Sequence, residues 1–300
     1  MESVKAEEFK AGYINVIGKP NVGKSTFLNA ILGEKLAITT AKAQTTRHRI
    51  LGIITKDEYQ AIFSDTPGFI SDPKYGMQDA MVSTVREVLK DGDVFILIVD
   101  PKTNAEHLTD IIKALNETTK KVFLMINKID TINAEQLEIL RQKWQEIVKD
   151  GEVLEISALK GFDKESLLKK IVQHLPVNPP YFPDDYYTDR SERFLVSEII
   201  REKIMMLYEE EVPYSVEVVI HSFKEDEKLF RIAADIYVNR KTQKPILIGK
   251  GGEKIKKVGV ESRKEIEAML GKQVFLETHV KVRENWRNDA GWLRRFGYKK

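Results

Sequence analysis

The sequence predicts a three-layer α/β domain with a mostly parallel sheet, followed by a smaller α+β domain, and three observations support this prediction. Short β-rich runs alternate with helical patterns through the first 175 residues, which is typical of a parallel sheet with crossover helices. Four prolines then interrupt the chain, at positions 176, 179, 180 and 183. Beyond them the predicted order changes to α, β, β, α, α, β. We therefore expect a first domain at 1–178, a linker at 179–189 and a second domain at 190–300.

The individual elements follow from runs of β-branched and aromatic residues for strands, and from apolar residues three and four apart for helices. In the first domain, strands are predicted at 13–18, 50–55, 59–65, 94–100, 122–127 and 153–156. Helices are predicted there at 24–32, 78–90, 105–117, 134–149 and 163–174. In the second domain we predict helices at 191–209, 242–248 and 253–270, and strands at 214–222, 229–238 and 273–282.

The composition is that of a globular protein, with 42% hydrophobic and 31% charged residues. The chain has no apolar run near the roughly 18 to 20 residues of a spanning helix, and its opening MESVKAEEFK is charged, so we expect a cytoplasmic protein. The absence of cysteine excludes disulfides, thiol catalysis and cysteine-ligated zinc. The five histidines have no metal-ligand spacing.

Basic residues cluster in two stretches of the second domain. Residues 240–264 contain nine Lys or Arg against Glu253 and Glu261, and residues 281–300 contain seven against two acidic residues. Such clustering predicts a polyanion-binding surface, with a solvated lysine-rich face as the alternative. The tail also interleaves aromatic and basic residues, and docking on its own domain is favoured over stacking on bases. These residues are Trp286, Trp292, Phe296 and Tyr298 with Arg287, Arg294, Arg295 and Lys299.

A phosphate-binding loop is predicted between the first strand and the first helix. The string GKPNVGKST fits the pattern G-x-x-x-x-G-K-[ST] in the structural context that this pattern requires. Backbone N–H groups and the helix N-terminus would face a polyphosphate, and Lys24 would add positive charge at its β and γ phosphates. The Ser25 hydroxyl is placed to bind Mg²⁺. The loop residues are Gly18, Lys19, Pro20, Asn21, Val22, Gly23, Lys24, Ser25 and Thr26.

A guanine-reading motif is predicted at 127–130, where NKID follows a strand at the ligand-binding edge of the sheet. The Asp130 carboxylate would accept both in-plane N–H groups of guanine, whereas adenine has an acceptor at N1 and no 2-amino group. A site built to pair a group rejects the analogue that lacks it by about 10⁴-fold. Ala158 would donate its N–H to the guanine carbonyl. The expected base-site residues are Asn127, Lys128, Asp130, Ser157 and Ala158.

Two further segments are predicted to reach the same site. Asp65, which opens DTPG, would hold Mg²⁺ through water, and the Gly68 N–H would bond the γ phosphate. Loss of that phosphate would release residues 69–75, an order–disorder switch. In the stretch TTAKAQTTRHR, Thr45 or Thr46 would complete the magnesium shell, and Thr46 is favoured. The expected catalytic residues are therefore Lys24, Thr46 and Gly68, with GTP or GDP and Mg²⁺ as cofactors.

A G-x-x-G turn between two helical patterns predicts a KH-type RNA-binding loop inside the basic cluster. Its glycines would let the backbone approach a phosphate, and the amides that open the next helix add a favourable dipole. Lysines would neutralise phosphates, while aliphatic neighbours, Val258 among them, would line a groove for unstacked bases. The expected RNA-binding residues are Ile246, Ile248, Gly249, Lys250, Gly251, Gly252, Lys254, Ile255 and Lys256.

These motifs resemble those of a known class. GKPNVGKST, QTTRH, DTPGF, NKID and ISA are similar in order and spacing to five motifs of the translation-factor-related GTPases. With its second domain, the whole chain resembles the Era family of bacterial GTPases, which act in small ribosomal subunit assembly. The resemblance implies a P-loop NTPase domain, a prokaryotic-type KH domain and GTP hydrolysis. It also implies single-stranded RNA near the 3′ end of small-subunit ribosomal RNA as the ligand.

One position departs from the Ras-like pattern. Phe69 follows the DxxG glycine where Ras-like enzymes have a glutamine, which predicts slow intrinsic hydrolysis. In related GTPases with this replacement, an asparagine at the position of Asn21 helps to hold K⁺ near the phosphates, so the resemblance implies K⁺. No side chain is assigned as general base, since His48 is a lone histidine in a polar loop and such residues usually face solvent.

The resemblance also implies binding to the small ribosomal subunit and weak peripheral association with the inner face of the cell membrane, and we expect a monomer. The basic face would support that association electrostatically. Two alternatives remain. A phosphoryl-transferring kinase with an accessory domain would leave NKID without a purpose, and a constitutive RNA-binding protein would hold a structural nucleotide that it scarcely hydrolyses.

Overall fold

The computed structural model describes residues 9–298, which form two compact units. The first unit comprises residues 9–37, 46–72 and 81–189, and the second comprises 38–45, 73–80 and 190–298. The charged opening segment at 1–8 and Lys299 lie outside the described residues. The stretch 179–189 lies with the first unit, where the Tyr187 carbonyl accepts a hydrogen bond of 2.9 Å from the Ile53 N–H.

Six strands form one sheet in the first unit, in the order β2-β3-β1-β4-β5-β6. Strand β2 runs antiparallel to β3, and the other pairings are parallel. The strands are β1 Lys10–Ile17, β2 Ile50–Lys56, β3 Tyr59–Asp65, β4 Val94–Val99, β5 Lys121–Ile126 and β6 Glu152–Glu155. The helices are α1 Lys24–Leu32, α2 Gly76–Asp91, of which residues 76–80 belong to the second unit, α3 Thr109–Glu117, α4 Ala134–Ile147 and α5 Lys164–Val172. The predicted three-layer α/β domain is confirmed.

Strand β4 shows why the sheet folds as it does. All six residues of VFILIV are buried, as expected for a central parallel strand with helices on both faces. Because parallel strands point the same way, the loops after β1, β3, β4 and β5 meet at one edge of the sheet. The predicted helix at 105–117 is divided into a 3₁₀ turn, Ala105–Leu108, and α3, and the Asn104 side chain caps that turn.

The second unit has the predicted α-β-β-α-α-β order. Its sheet has the order β7-β8-β9, with β8 antiparallel to β7 and parallel to β9. Helices α6 and α9 contribute apolar side chains to one core with the sheet. The elements are α6 Glu192–Leu207, α7 Val212–Ser215, β7 Val216–Glu225, β8 Leu229–Val238, α8 Gln243–Ile248, α9 Glu253–Leu270, β9 Gln273–Val282 and α10 Ala290–Arg295. The sequence did not predict α7 and α10, which span four and six residues.

The aromatic tail docks on its own unit, as favoured from the sequence. Trp286 is fully buried, and its indole N–H donates to the Ser215 carbonyl at 3.2 Å. The ring of Phe296 lies 5.3 Å from that of Tyr237, and the Tyr298 hydroxyl donates to Glu217 at 2.7 Å. The tail therefore covers one end of the sheet. Across residues 9–298, no helix is both long and apolar enough to cross a membrane.

Candidate nucleotide site and nucleic-acid interface

The loop after β1 leads directly into α1, and Gly23 lies at the junction. Its φ of 102° is in the left-handed region, where a side chain is strained. A Cβ at this position would also lie 2.2 Å from Asn127 Nδ2, closer than two atoms can approach. Gly23 is therefore required both by the turn and by the neighbouring loop. The amides at the start of α1 are consequently placed at the edge of the sheet.

Lys24 is buried beneath this loop. Its ammonium donates to the carbonyl oxygens of Gly18, at 3.2 Å, and Lys19, at 2.9 Å. Burial lowers the pKa of Lys24 to about 8, although the nearby Asp65 carboxylate acts in the opposite direction. A phosphate anion beside this ammonium would favour its charged form. The arrangement is suited to neutralising a polyphosphate.

Three side-chain oxygens converge beside Lys24. Ser25 Oγ lies 2.7 Å from both Thr46 Oγ1 and Asp65 Oδ2, and Thr46 Oγ1 lies 3.1 Å from the same carboxylate oxygen. Burial raises the pKa of Asp65, while Lys24 and the two hydroxyl donors act to lower it. Asp65 Oδ1 is buried and has no hydrogen-bond partner of normal geometry among residues 9–298. Hard oxygen donors with an unpaired carboxylate oxygen fit a Mg²⁺ ion.

The structure distinguishes the two adjacent threonines. Thr46 belongs to the oxygen cluster, whereas the Thr45 hydroxyl donates to the Lys42 carbonyl at 2.7 Å and contacts Thr40 at 2.8 Å. This geometry favours Thr46 as the ligand-binding residue of the pair. Phe69 is buried in the apolar core of the first unit, and its N–H donates to the Gly18 carbonyl at 3.0 Å. The DTPG segment therefore lies directly against the phosphate-binding loop.

Asn127 joins three loops. Its side-chain amide donates to the Val22 carbonyl at 2.8 Å, and its Oδ1 accepts from the Ala158 N–H at 2.9 Å. The sequence predicts that this N–H donates to a base carbonyl, and in the structure it donates to Asn127, where the two loops pack against each other. The Ala158 amide therefore helps to fix the spacing of the loops.

Lys128 and Asp130 lie on the outer side of the same loop. Lys128 has a left-handed backbone, with φ at 63°, and its ammonium donates to the Asn21 carbonyl at 2.6 Å and to Asp100 at 2.7 Å. Ser157 donates to Asp130 Oδ1 at 2.6 Å, which orients an exposed carboxylate. The sequence did not identify Asp100 as part of the site. Its position directly after the buried run of β4 was the available signal.

The second unit contains the G-x-x-G turn between α8 and α9. Gly249 has φ at 76°, and a Cβ there would lie 2.7 Å from the Lys254 side chain. Lys250, Lys254 and Lys256 are exposed, and Ile246 is 49% exposed, so cationic and apolar surface lie together. Ile248 and Ile255 are half-buried. The expectation for Val258 was wrong, because this residue is fully buried in the domain core and cannot line a groove.

Comparisons with known proteins identify both units. Residues 13–128 match a family described as 50S ribosome-binding GTPase, and residues 211–287 match the KH domain family. GTPase Era from Syntrophus aciditrophicus (strain SB) is 48% identical over 294 residues, which is 97% of this chain and 95% of the relative.

Two solved structures match the chain over almost its whole length. A structure of Era in complex with MgGDPNP and nucleotides 1506–1542 of 16S ribosomal RNA is 39% identical, with a TM-score of 0.92. A substituted Era from Aquifex aeolicus bound to GDP·AlF4⁻ is 40% identical, with a TM-score of 0.91. Each match covers 97% of this chain and 100% of the other. A sequence so similar across both domains, which occur here in the same order, belongs to the Era family and is a GTPase with a C-terminal KH domain.

Proposed function

We propose that this GTPase is a switch whose nucleotide state governs the binding of single-stranded RNA by its KH domain. The proposed RNA is the 3′ end of small-subunit ribosomal RNA, bound during assembly of the small ribosomal subunit. The solved Era structure that contains 16S ribosomal RNA and a GTP analogue supports this proposal, since it aligns with 97% of this chain. The single observation that carries the switch is the oxygen cluster of Ser25, Thr46 and Asp65, because Thr46 lies in a loop and can leave it.

In the proposed nucleotide site, residues 18–26 surround the triphosphate and Lys24 neutralises it. Ser25 and Thr46 would bind Mg²⁺ directly, and Asp65 would bind it through water. When bound, Mg²⁺ neutralises charge that develops on the β and γ phosphates during phosphoryl transfer. The Gly68 N–H would donate to the γ phosphate. All of these groups lie at one edge of the sheet, which fits a single triphosphate.

Guanine recognition is assigned to Asp130. Both oxygens of its carboxylate would accept from the base, and the Ser157 hydroxyl holds the carboxylate by a separate hydrogen bond of 2.6 Å. The stem of Lys128 would lie along one face of the base. Because Lys128 is already fixed by the Asp100 carboxylate, at 2.7 Å, this face is formed before nucleotide arrives.

Hydrolysis is proposed to be slow in the isolated protein. Phe69 occupies the position of a water-orienting glutamine, and it is packed in the core instead of facing the phosphates. Its side chain has no group that donates or accepts a hydrogen bond. Asn21, which has an exposed side chain and a left-handed backbone in the phosphate-binding loop, is proposed to help hold K⁺. Potassium would then add positive charge at the phosphates beside that of Lys24.

RNA is proposed to lie along the G-x-x-G turn. Lys250, Lys254 and Lys256 would contact its phosphates, and the exposed Ile246 with half-buried Ile248 and Ile255 would contact unstacked bases. We propose that the protein acts as a monomer in the cytoplasm. The same basic surface would allow weak peripheral association with anionic membrane lipid.

Phosphate release from GTP, measured with and without an RNA of the 3′-terminal small-subunit sequence, tests this function. The proposal expects a slow basal rate above that of buffer, and a rate that changes when the RNA is added. If the protein releases phosphate no faster than buffer alone, both with and without RNA, the result would instead favour a constitutive RNA-binding protein with a structural nucleotide. Replacing Lys24 by Met provides the control for contaminating phosphatase activity.

A further inference from the structure

A groove of the first unit lies beside the edge strand of its sheet. Strand β2 is that edge strand, and residues 181–189, the strap, run along it. The Leu51 N–H donates to Asp189 Oδ1 at 3.0 Å, and the Ile53 N–H donates to the Tyr187 carbonyl at 2.9 Å. The part of the strap before Tyr187 turns away from the strand. A groove therefore opens between this part of the strap and the second half of β2.

The groove contains a stretch of open strand edge. Leu51 and Ile53 direct their N–H groups toward the strap, and every second residue of an antiparallel strand faces the same edge. The N–H and carbonyl groups of Thr55 therefore face this edge too. Within residues 9–298, no backbone hydrogen bond joins the strap to Thr55, which lines the groove. An extended peptide can continue the sheet at such an edge.

The strap is held in place by Gln60 of β3, which is fully buried. Its Oε1 accepts from the N–H groups of Tyr181, at 2.8 Å, and Phe182, at 3.0 Å. Its Nε2 donates to the Phe182 carbonyl at 2.8 Å. The Tyr186 ring stacks on that of Phe182, with centroids 6.5 Å apart. The groove is therefore formed in the free protein, and a ligand gains affinity because it does not have to order the strap.

Negative charge predominates in the groove. Three carboxylates and one ammonium belong to its described lining, and all four groups are exposed. None of them forms an ion pair within the described part of the chain. The exposed neighbours Lys35, Asp57 and Glu58 add one further negative charge in sum. Such a surface attracts a cation and repels a polyanion such as RNA. The four lining groups are those of Glu34, Asp184, Asp185 and Lys56.

The size and the aromatic residues of the groove favour the side chains of a basic peptide. Its volume is about 250 Å³, below the roughly 300–1,000 Å³ of pockets that enclose a drug-sized ligand. Tyr186 and Tyr187 both line it, and each is 49% exposed. A Lys or Arg side chain gains both from a nearby carboxylate and from the face of an aromatic ring. The groove offers both kinds of contact.

We propose that this groove binds an extended basic segment of a partner protein, which adds a strand to the edge of β2 at Thr55. Lys or Arg side chains of that segment would pair with Glu34, Asp184 and Asp185. The open strand edge selects a peptide over a polyamine, because a peptide brings the N–H and carbonyl groups that pair with Thr55. The inference concerns the first unit alone and does not depend on the nucleotide switch or on RNA binding.

The test titrates the full chain, with GDP and Mg²⁺ at low ionic strength, into a labelled peptide of alternating lysine and threonine. Fluorescence anisotropy gives the affinity. The double variant Asp184→Asn with Asp185→Asn removes two charges with little change in shape. Glu146→Gln with Asp150→Asn, at exposed positions of the same unit outside the groove, is the matched control. Thermal unfolding shows whether each variant is folded.

A second measurement follows hydrogen exchange of the Thr55 amide by NMR. At saturating peptide this exchange should slow by at least about fivefold, since the amide would become bonded to the added strand. The Ile53 amide is the internal reference, because it is already bonded to Tyr187. A single variant, Tyr186→Leu, removes the aromatic face but keeps an apolar contact with Phe182.

The proposal expects saturable binding of the lysine–threonine peptide with a Kd below about 1 mM. The Asp184 and Asp185 double variant should bind it at least about fivefold more weakly, as expected for the loss of two exposed ion pairs. Tyr186→Leu should weaken binding by about threefold. The control variant should bind with wild-type affinity. If the Asp184 and Asp185 variant does not fold, Tyr186→Leu and the exchange of the Thr55 amide decide the question.

Three outcomes would contradict the proposal. Absence of saturable binding below about 1 mM, or equal affinity of the wild type and the Asp184 and Asp185 variant, would remove the groove as the binding site. Binding that leaves exchange of the Thr55 amide unchanged would exclude strand addition. Spermine, a polyamine without amide groups, represents the competing occupant. If spermine binds more tightly than the peptide and slows the Thr55 amide equally, the groove binds polycations and the peptide assignment is wrong.

Discussion

Asn127 Nδ2 donates a hydrogen bond of 2.8 Å to the Val22 carbonyl, across 105 positions of sequence. The bond joins the loop that would read the base to the loop that would bind the phosphates. Asn127 Oδ1 also accepts from the Ala158 N–H, so one side chain fixes the spacing of three loops. A guanine nucleotide in the proposed site would span these loops, and its affinity should depend on how rigidly they are held.

Replacing Asn127 by Ala should weaken GDP binding by at least about tenfold. The substitution leaves the Val22 carbonyl and the Ala158 N–H without their partner, and each buried unsatisfied group costs about 1–3 kcal/mol. Titration with a fluorescent GDP analogue measures the affinity, and thermal unfolding without nucleotide measures the stability. Asn116→Ala, which removes exposed hydrogen bonds to the Ile147 carbonyl and from the Lys149 N–H, should leave GDP affinity unchanged. Wild-type affinity in the Asn127 variant would show that the loops keep their spacing by other means.

Replacing Asp130 by Asn should shift the preferred base from guanine to xanthine. An amide nitrogen at this position would meet the N1–H and 2-amino donors of guanine, whereas xanthine has a carbonyl oxygen at position 2. We expect GTP affinity to fall by about 100-fold or more and XTP affinity to rise. Competition of GTP, XTP and ATP against a labelled nucleotide measures the change. Retention of guanine selectivity would remove Asp130 from base recognition.

Replacing Lys250 or Lys254 by Ala should weaken RNA binding and reduce its salt dependence. Each contact to a single-stranded phosphate contributes about −0.7 to the slope of log K against log salt concentration. The slope of each variant should therefore be less steep by about that amount. Lys272→Ala, beyond the far end of α9, is the matched control, since Lys272 is paired with Glu225 at 3.0 Å. An unchanged slope in the Lys250 and Lys254 variants would place the RNA elsewhere.

Hydrolysis should be faster in potassium than in sodium chloride at equal ionic strength. We expect the difference because K⁺ near the phosphates would add positive charge there, whereas the apolar side chain of Phe69 adds none. Asn21→Ala should bring the two rates together without loss of GTP affinity beyond about threefold. Phosphate release under single-turnover conditions gives both rates. Equal rates for the wild type would exclude a role for K⁺.

Much of the site was predictable because its motifs follow strands whose ends must meet. Asp65 is the last residue of β3 and Asp130 lies in the loop after β5, so parallel pairing alone brings them to one edge. The hydrogen bond between Lys128 and Asp100 was not predicted, because it depends on a left-handed backbone at Lys128 that the sequence does not specify. The hydrogen bond from the Ala158 N–H to Asn127 was not predicted either, because it depends on how the two loops pack.

The compact unit to which a loop segment belongs could not be predicted from the sequence either. From the sequence, residues 38–45 are predicted to form a polar loop of the first domain. In the structure they belong to the second unit, where the buried Arg201 of α6 donates a hydrogen bond to the Thr45 carbonyl. The apolar periodicity of α6 identified the helix but gave no reason to expect Arg201 and Glu198 in its buried face. The prediction that Val258 lines the groove was wrong for a simpler reason. An aliphatic residue beside a glycine turn fits a groove and a core equally well until the helix axis is known.

RNA affinity measured in three nucleotide states tests most directly whether this GTPase is a switch. A labelled single-stranded RNA of the 3′-terminal small-subunit sequence would be titrated with the wild-type protein bound to GDPNP, bound to GDP and free of nucleotide. We predict that the GDPNP and GDP states differ by at least about fivefold, and that RNA changes GDPNP affinity relative to GDP by the same factor. Identical RNA affinities in all three states would contradict nucleotide control of the KH domain.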